Sequence, residues 1–167
     1  MELDIIVPAL FIGVGATLVM DLWAVCLKLL LKIPSLNYAM VGRWFGHIPQ
    51  GRFIHQAIGK APSVRGEFFI GWASHYVIGI IFAATLLAIW GADWALTPTL
   101  IPALIVGICT VAAPFLILQP GMGAGIAASK TPNPAVARRR SLMAHTSFGV
   151  GLYLAALLYA AIAPLPI

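Results

Sequence analysis

Four apolar runs, each about twenty or more residues long, restrict this chain more than anything else in it. They cover about residues 5–31, 67–90, 98–118 and 134–163. Crossing the hydrocarbon core of a bilayer takes roughly 20 apolar residues of helix. A backbone in lipid must also satisfy its own hydrogen bonds, so each run reads as a transmembrane helix. Composition agrees: 61% of the 167 residues are hydrophobic and only 9% are charged, against about 25% charged in soluble domains. The expected fold is all-α, an integral membrane four-helix bundle forming a single domain over 1–167.

Local signals subdivide that outline. Gly13, Gly15 and Ala16 give the first span a small face for close helix packing, Thr17 can bond back within the helix, and Pro34 ends the segment. Residues 34–66 form a long link. There Ser35 is positioned to cap a short helix with Leu36, Met40, Trp44 and Ile48 on one side, and a second short helix is expected from Arg52 to Ile58. Arginine and tryptophan in such amphipathic pieces suggest a segment lying at the membrane interface. After the second span, Gly91 to Leu96 make a tight turn. Thr97-Pro98 then reads as a cap and first-turn proline for the third helix. Pro114 predicts a kink, Gln119-Pro120 a break, and Ile126 to Lys130 a short helix within a second amphipathic segment, 119–133. Asn133-Pro134 starts the last helix, and Pro164 and Pro166 close the chain. Cys26 and Cys109 lie within apolar runs with no metal-site spacing and read as packing residues.

Charge orients the chain. All ten basic residues lie in or beside the links that join spans one to two and three to four, Lys28 at the end of the first run and Arg138 to Arg140 at the start of the fourth, whereas Glu2, Asp4 and Asp93 lie elsewhere. The positive-inside rule then places both long links in the cytoplasm and both termini outside. The acidic N-terminus lacks the basic region of a cleaved signal, so the first run is expected to stay as a span. The net charge of +5 flanks apolar runs, which points to anionic lipid rather than nucleic acid. Lys130, Arg138, Arg139 and Arg140, following Gly121-x-Gly123-x-Gly125, are candidates for a lipid headgroup. The alternative for those glycines, and the one favoured, is tight packing, since no strand precedes them as a dinucleotide fold requires.

Polar groups inside the spans are the candidates for function, because ionisable residues in hydrocarbon are costly. His75, in Trp72-Ala73-Ser74-His75-Tyr76, is the clearest, and His145 repeats its spacing to a glycine four residues on. Asp21 lies seven residues before Lys28, His75 eight after Glu67, His145 five after Arg140, and Gln119 ends the third run. At ~1.5 Å per residue these four lie within roughly 12 Å of the cytoplasmic boundary. Arg43, Asn37, Ser74 and Ser141 can join from the sides. The repeat extends further: Pro8-Ala9-Leu10-Phe11-Ile12-Gly13 resembles Pro102-Ala103-Leu104-Ile105-Val106-Gly107, which would make the bundle two pseudo-repeated helical hairpins.

Two readings of the polar groups compete. In the first they line a site for a small ligand: a quinone, a lipid headgroup, a metal ion held by His75, His145 and Asp21, or a haem held by the two histidines. In the second they bond one another, with Asp21 facing an imidazole or Arg43, and only lock a non-catalytic accessory or scaffold protein. A small proton-coupled transporter, needing a homo-oligomer or a membrane partner to enclose a path, is a third. His47 and His55 read as interfacial loop residues. Ser74 adjoins His75, but neighbours on a helix point about 100° apart, so nucleophilic catalysis has little support and enzymatic activity stays open. No cofactor is specified.

The segments Gly15-Ala16-Thr17-Leu18-Val19-Met20-Asp21-Leu22-Trp23, Pro34-Ser35-Leu36-Asn37-Tyr38 and Gly42-Arg43-Trp44-Phe45-Gly46-His47 together resemble a bacterial membrane family. So do Trp72 to His75, Gln119-Pro120 with Gly123 to Ser129, and Thr131-Pro132-Asn133-Pro134. That family is the domain of unknown function 2938, and the resemblance covers nearly the whole chain. It implies a four-helix inner-membrane protein and carries over no activity, ligand or catalytic residue.

Overall fold

A computed structural model describes residues 2–163; the prolines expected to close the chain, Pro164 and Pro166, lie outside them. The described residues are all helical or irregular. They comprise α1 (Glu2–Leu31), α2 (Tyr38–His47), α3 (Glu67–Trp90), α4 (Leu100–Cys109), the single turn α5 (Gln119–Gly121) and α6 (Pro134–Ile162). Four helical stretches, Ile5–Leu31, Glu67–Trp90, Leu100–Gly121 and Pro134–Ile162, are long and apolar enough to cross a membrane. Large side chains along them face outward, among them Leu30, Phe69 and Ile101, each more than two-thirds exposed. Contiguous apolar surface of that kind is tolerable only against lipid or another protein. The expected all-helical, four-span fold is the one observed. Cys26 and Cys109 are also exposed, so neither is the interior packing residue that its apolar surroundings suggested.

The chain sorts into two compact units. The first comprises residues 1–34, 76–109 and 144–167 and is a four-helix core. Ile12, Ala16, Leu86, Leu87, Ala103, Phe148 and Leu152 are buried together in it. Missing side chains let these helices touch. A Cβ on Gly13 would meet the backbone of Ile80 and the carbonyl of Gly79, and one on Gly107 would meet the backbone of Gly149 and the carbonyl of His145. In each contact, a glycine that closes a Pro-Ala-Leu-x-x-Gly segment seats against the glycine four residues after a histidine, or its immediate neighbour. Thr17, fully buried, donates its hydroxyl back to the Gly13 carbonyl at 2.8 Å, as its place in the span predicts. That bond removes an unpaired polar group from the helix contact.

The second unit comprises residues 35–75 and 110–143. Asn37, not Ser35, caps α2: its side-chain oxygen accepts from the Ala39 amide at 3.0 Å. The buried face of α2 is Val41, Gly42, Trp44 and His47, which displaces the expected Leu36-Met40-Trp44-Ile48 stripe. The reason is a close crossing with the start of α3. A Cβ on Gly42 would land on the Glu67 carbonyl, and one on Gly71 on the Tyr38 carbonyl. Only a glycine at both places allows the backbones to approach so closely.

Residues 52–57 are irregular rather than helical, with a 3₁₀ turn following at Ile58–Lys60. Their backbone bonds go elsewhere: the His55 amide donates to Gly121 O at 2.8 Å and the Ile58 amide to Met122 O at 3.0 Å. Likewise α4 begins at Leu100 rather than at Pro98, because Thr97 turns its hydroxyl and amide back to the Asp93 carbonyl and extends the preceding turn. Pro114 has no N–H to return to Thr110, whose carbonyl takes the Ala113 amide instead. From Pro114 to Leu118 the helix then widens into a π-helix, and the Gln119 amide reaches Pro114 O. The wider turn carries the chain through Gln119-Pro120, where a break was expected, to the end of α5 at Gly121. Asn133 caps α6 as its Asn-Pro signal predicts, accepting from the Val136 amide at 3.3 Å.

Candidate functional site

The second unit holds most of the polar machinery. The α2/α3 crossing places Arg43 against Glu67 in a two-pronged pair, Nε to Oε2 at 2.8 Å and Nη2 to Oε1 at 2.7 Å. Arg43 Nη1 also donates to Ala61 O, and Glu67 Oε2 accepts the Val64 amide. The paired carboxylate raises the Arg43 guanidinium above its usual range. Arg43, offered by the sequence as a partner for Asp21, turns its guanidinium to Glu67. This pair fastens the link to the start of a span, and fork-to-fork geometry is specific to arginine. We therefore expect Arg43→Lys and Glu67→Gln each to lower the melting temperature of the detergent-solubilised protein, as followed by intrinsic fluorescence. An unchanged melting temperature in both would remove the clasp from the account.

The same crossing sets Tyr38 against Trp72 and His75, with ring centroids 4.4 Å apart in each case. The Tyr38 hydroxyl lies 2.9 Å from His75 Nε2. Gln119, at the end of the π segment, donates to Ser141 Oγ at 3.1 Å. In the first unit Asp21 accepts a hydrogen bond from the Tyr76 hydroxyl at 3.0 Å, and the His145 carbonyl lies at the Gly107 contact. The candidate residues thus sort by unit: Asp21 and His145 in the first, Asn37, Arg43, His75 and Gln119 in the second. The two tyrosines that meet them are invisible to a search for charge, although one tyrosine lies next to His75 in sequence and the other next to Asn37.

His47 departs most from expectation, while His55 lies in the irregular 52–57 segment as a loop residue should. His47 is 3% exposed, not an interfacial loop residue. Its Nε2 lies 3.0 Å from Pro62 O, and His55 Nδ1 lies 3.3 Å from Gly121 O. A carbonyl only accepts, so each of those nitrogens carries the proton and the opposite nitrogen of a neutral ring is a bare acceptor. Both opposite atoms, His47 Nδ1 and His55 Nε2, are buried without a hydrogen-bond partner. The two rings lie 5.1 Å apart. Gln119 Oε1 is the third buried polar atom in this state; whichever way its amide is turned, one end stays unpaired. Leaving such an atom unpaired costs ~1–3 kcal/mol.

The surrounding loops hold these groups in place. Trp44 Nε1 donates to Phe53 O at 2.8 Å, and the Trp44 indole fills the space a Gly121 side chain would need. Gly123 packs on the His55 and Gln56 carbonyls, and with Gly125 it takes the positive φ that favours glycine. Packing and turn geometry therefore account for the Gly-x-Gly-x-Gly run. Arg138 donates to Ala127 O at 2.8 Å, while Lys130, Arg139 and Arg140 are exposed. Among the described residues, no three His, Cys, Asp or Glu side chains are gathered as a metal ion would need.

The family described as "Protein of unknown function (DUF2938)" matches residues 10–159. The chain belongs to that family, as its motifs led one to expect. No curated protein matches it, and no solved structure does.

Proposed function

We propose that this member of the family is a bacterial inner-membrane protein whose 35–75/110–143 unit binds a small ligand at the cytoplasmic face. One observation carries the reading: two neighbouring imidazole rings, their centroids 5.1 Å apart, each bury a nitrogen without a hydrogen-bond partner. Polar groups that serve only as glue bond one another, as Tyr38 with His75, Tyr76 with Asp21 and Arg43 with Glu67 do. The histidine pair does not, and a ligand that donates hydrogen bonds or carries positive charge would complete it. Among the ligand kinds the sequence leaves open, a metal ion, the ammonium of a lipid headgroup and the hydroxyls of a reduced quinone have that chemistry. An oxidised quinone or a phosphate, acceptors both, does not.

Placement at the cytoplasmic face rests on the distribution of basic residues. The exposed Lys130, Arg139 and Arg140 would meet anionic headgroups there, and Arg138 lies beside them. Asp21, His75 and His145 are assigned to holding the spans. The matching Gly13 and Gly107 contacts support a duplicated hairpin as the frame.

Comparing stripped and loaded protein tests this reading. His55→Phe relieves the desolvation cost of the unpaired nitrogen, and although it removes the ring's bond to Gly121 O, that carbonyl keeps the residue-55 backbone amide. Extensively delipidated and chelated wild type should therefore melt no higher than His55→Phe treated alike. Protein purified gently should melt several degrees above that variant, because only wild type keeps its ligand. If the two melt alike in both states, the accessory-protein reading takes over.

A further inference from the structure

We propose that Arg52-Phe53-Ile54 is a membrane wedge. Its two apolar side chains enter the headgroup and acyl boundary of the leaflet on the side of the two links, and the basic residues around it draw in anionic lipid. The inference is independent of what the histidine pair holds, and three observations converge on it. The first is exposure. Phe53 is 57% exposed and Ile54 79%, two adjacent large apolar side chains on an irregular segment, where contact with water is unfavourable. The second is level. The Phe53 carbonyl takes the Trp44 indole, which packs on Gly121, and the His55 amide, one residue beyond Ile54, donates to Gly121 O at 2.8 Å. Gly121 is the last residue of the third candidate span, so the wedge lies where a span leaves the hydrocarbon. Near that end Leu116 and Ile117 face outward, as do Phe68 and Phe69 at the start of the second span. The third is charge. Residues 35–75 and 110–143 carry eight basic residues and one acidic, Glu67, which Arg43 pairs. Arg52 is exposed, as are Lys60 and Arg65 further along the link, and the unit has no other carboxylate side chain to neutralise them.

Apolar tips beside long cationic side chains suit the boundary of a bilayer. Phenylalanine and isoleucine leave water for the acyl chains, while an arginine lays its stem along them and keeps its guanidinium among the phosphates. An acidic protein surface would match the charge equally well. The level of the wedge, at the end of a span, favours lipid over it. Immersion of residues 53 and 54 also fixes the depth of the loop that carries His55.

Spin labelling of the full chain tests the wedge. Cys26→Ser with Cys109→Ser removes the two exposed native thiols. A nitroxide is then attached through Ile54→Cys, through Phe69→Cys as the lipid-facing benchmark, and through Ser63→Cys, an exposed polar position of the same link. All three are surface substitutions, and Phe53→Cys supplies a second label within the wedge. The protein is reconstituted into vesicles of equal parts phosphatidylcholine and phosphatidylglycerol. Collisions of each label with oxygen, which concentrates among acyl chains, are compared with collisions with a water-soluble nickel chelate. The expected oxygen-to-nickel ratio at 54 is close to that at 69 and several-fold above that at 63. It should fall in vesicles of phosphatidylcholine alone, and fall likewise when Arg52→Gln is added in the anionic vesicles. A label at 54 as open to the nickel chelate as the label at 63 overturns the wedge. A label at 54 shielded from both reagents overturns it too, because protein rather than lipid then covers the patch. A high ratio that neither lipid charge nor Arg52→Gln alters overturns the role given to anionic lipid.

Discussion

Gly42→Ala is expected to cost the protein at least ~3 kcal/mol of stability. Its new methyl group would fall on the Glu67 carbonyl oxygen and close to the Gly71 amide, both of them backbone. A flexible side chain would swing aside; two helices in contact have to separate. Separation would draw Arg43 from Glu67 and Tyr38 from Trp72 and His75, since all of these contacts lie across the same crossing. A thermal melt in detergent should show a fall on the order of 10 °C. Gly59→Ala is the matched control, because nothing lies within 4 Å of the position its Cβ would take. If the two variants melt together, α2 does not pack on α3 in this way.

The second large effect is expected at Gly107→Ala and, with the same sign and similar size, at Gly13→Ala. The first would press a methyl group on the Gly149 backbone and the His145 carbonyl, the second on the Ile80 backbone and the Gly79 carbonyl. Each loss should exceed about 2 kcal/mol, because a packed helix pair in lipid depends on close backbone approach and has little hydrophobic force to replace it. Unfolding in a denaturing detergent, followed by the loss of helical circular dichroism, measures both. One glycine tolerating alanine while the other does not would break the equivalence on which the duplicated hairpin rests.

The spans were legible because twenty-residue apolar runs leave a backbone in lipid almost no alternative to helix. Caps at Asn133-Pro134 and the back-bond at Thr17 were legible for the same local reason. What failed was set by tertiary contact. The 52–57 stretch has ordinary helical composition, but the His55 amide is taken by Gly121 and that of the following Ile58 by Met122, some sixty residues away. Pro114 announced a distortion without saying that a π segment would carry the chain past Pro120. The candidate site was read from the spans, where charge is conspicuous, so the buried nitrogens of His47, at the end of α2, and of His55, in its loop, were passed over. One signal did point to them: two histidines eight residues apart flank a Pro-Gln-Gly turn that folds the chain back. Glu67 also had a signal, as the only acidic residue between Asp21 and Asp93 among six basic ones.

The account stands or falls on whether the histidine pair is completed by something. Native mass spectrometry of the intact chain, released gently from detergent, asks that directly. The prediction is a wild-type mass exceeding that of the bare chain by one bound species, with the excess absent from the His47→Gln, His55→Gln double variant of equal helix content. A wild-type chain that flies bare, with the same melting temperature as the double variant, would contradict it.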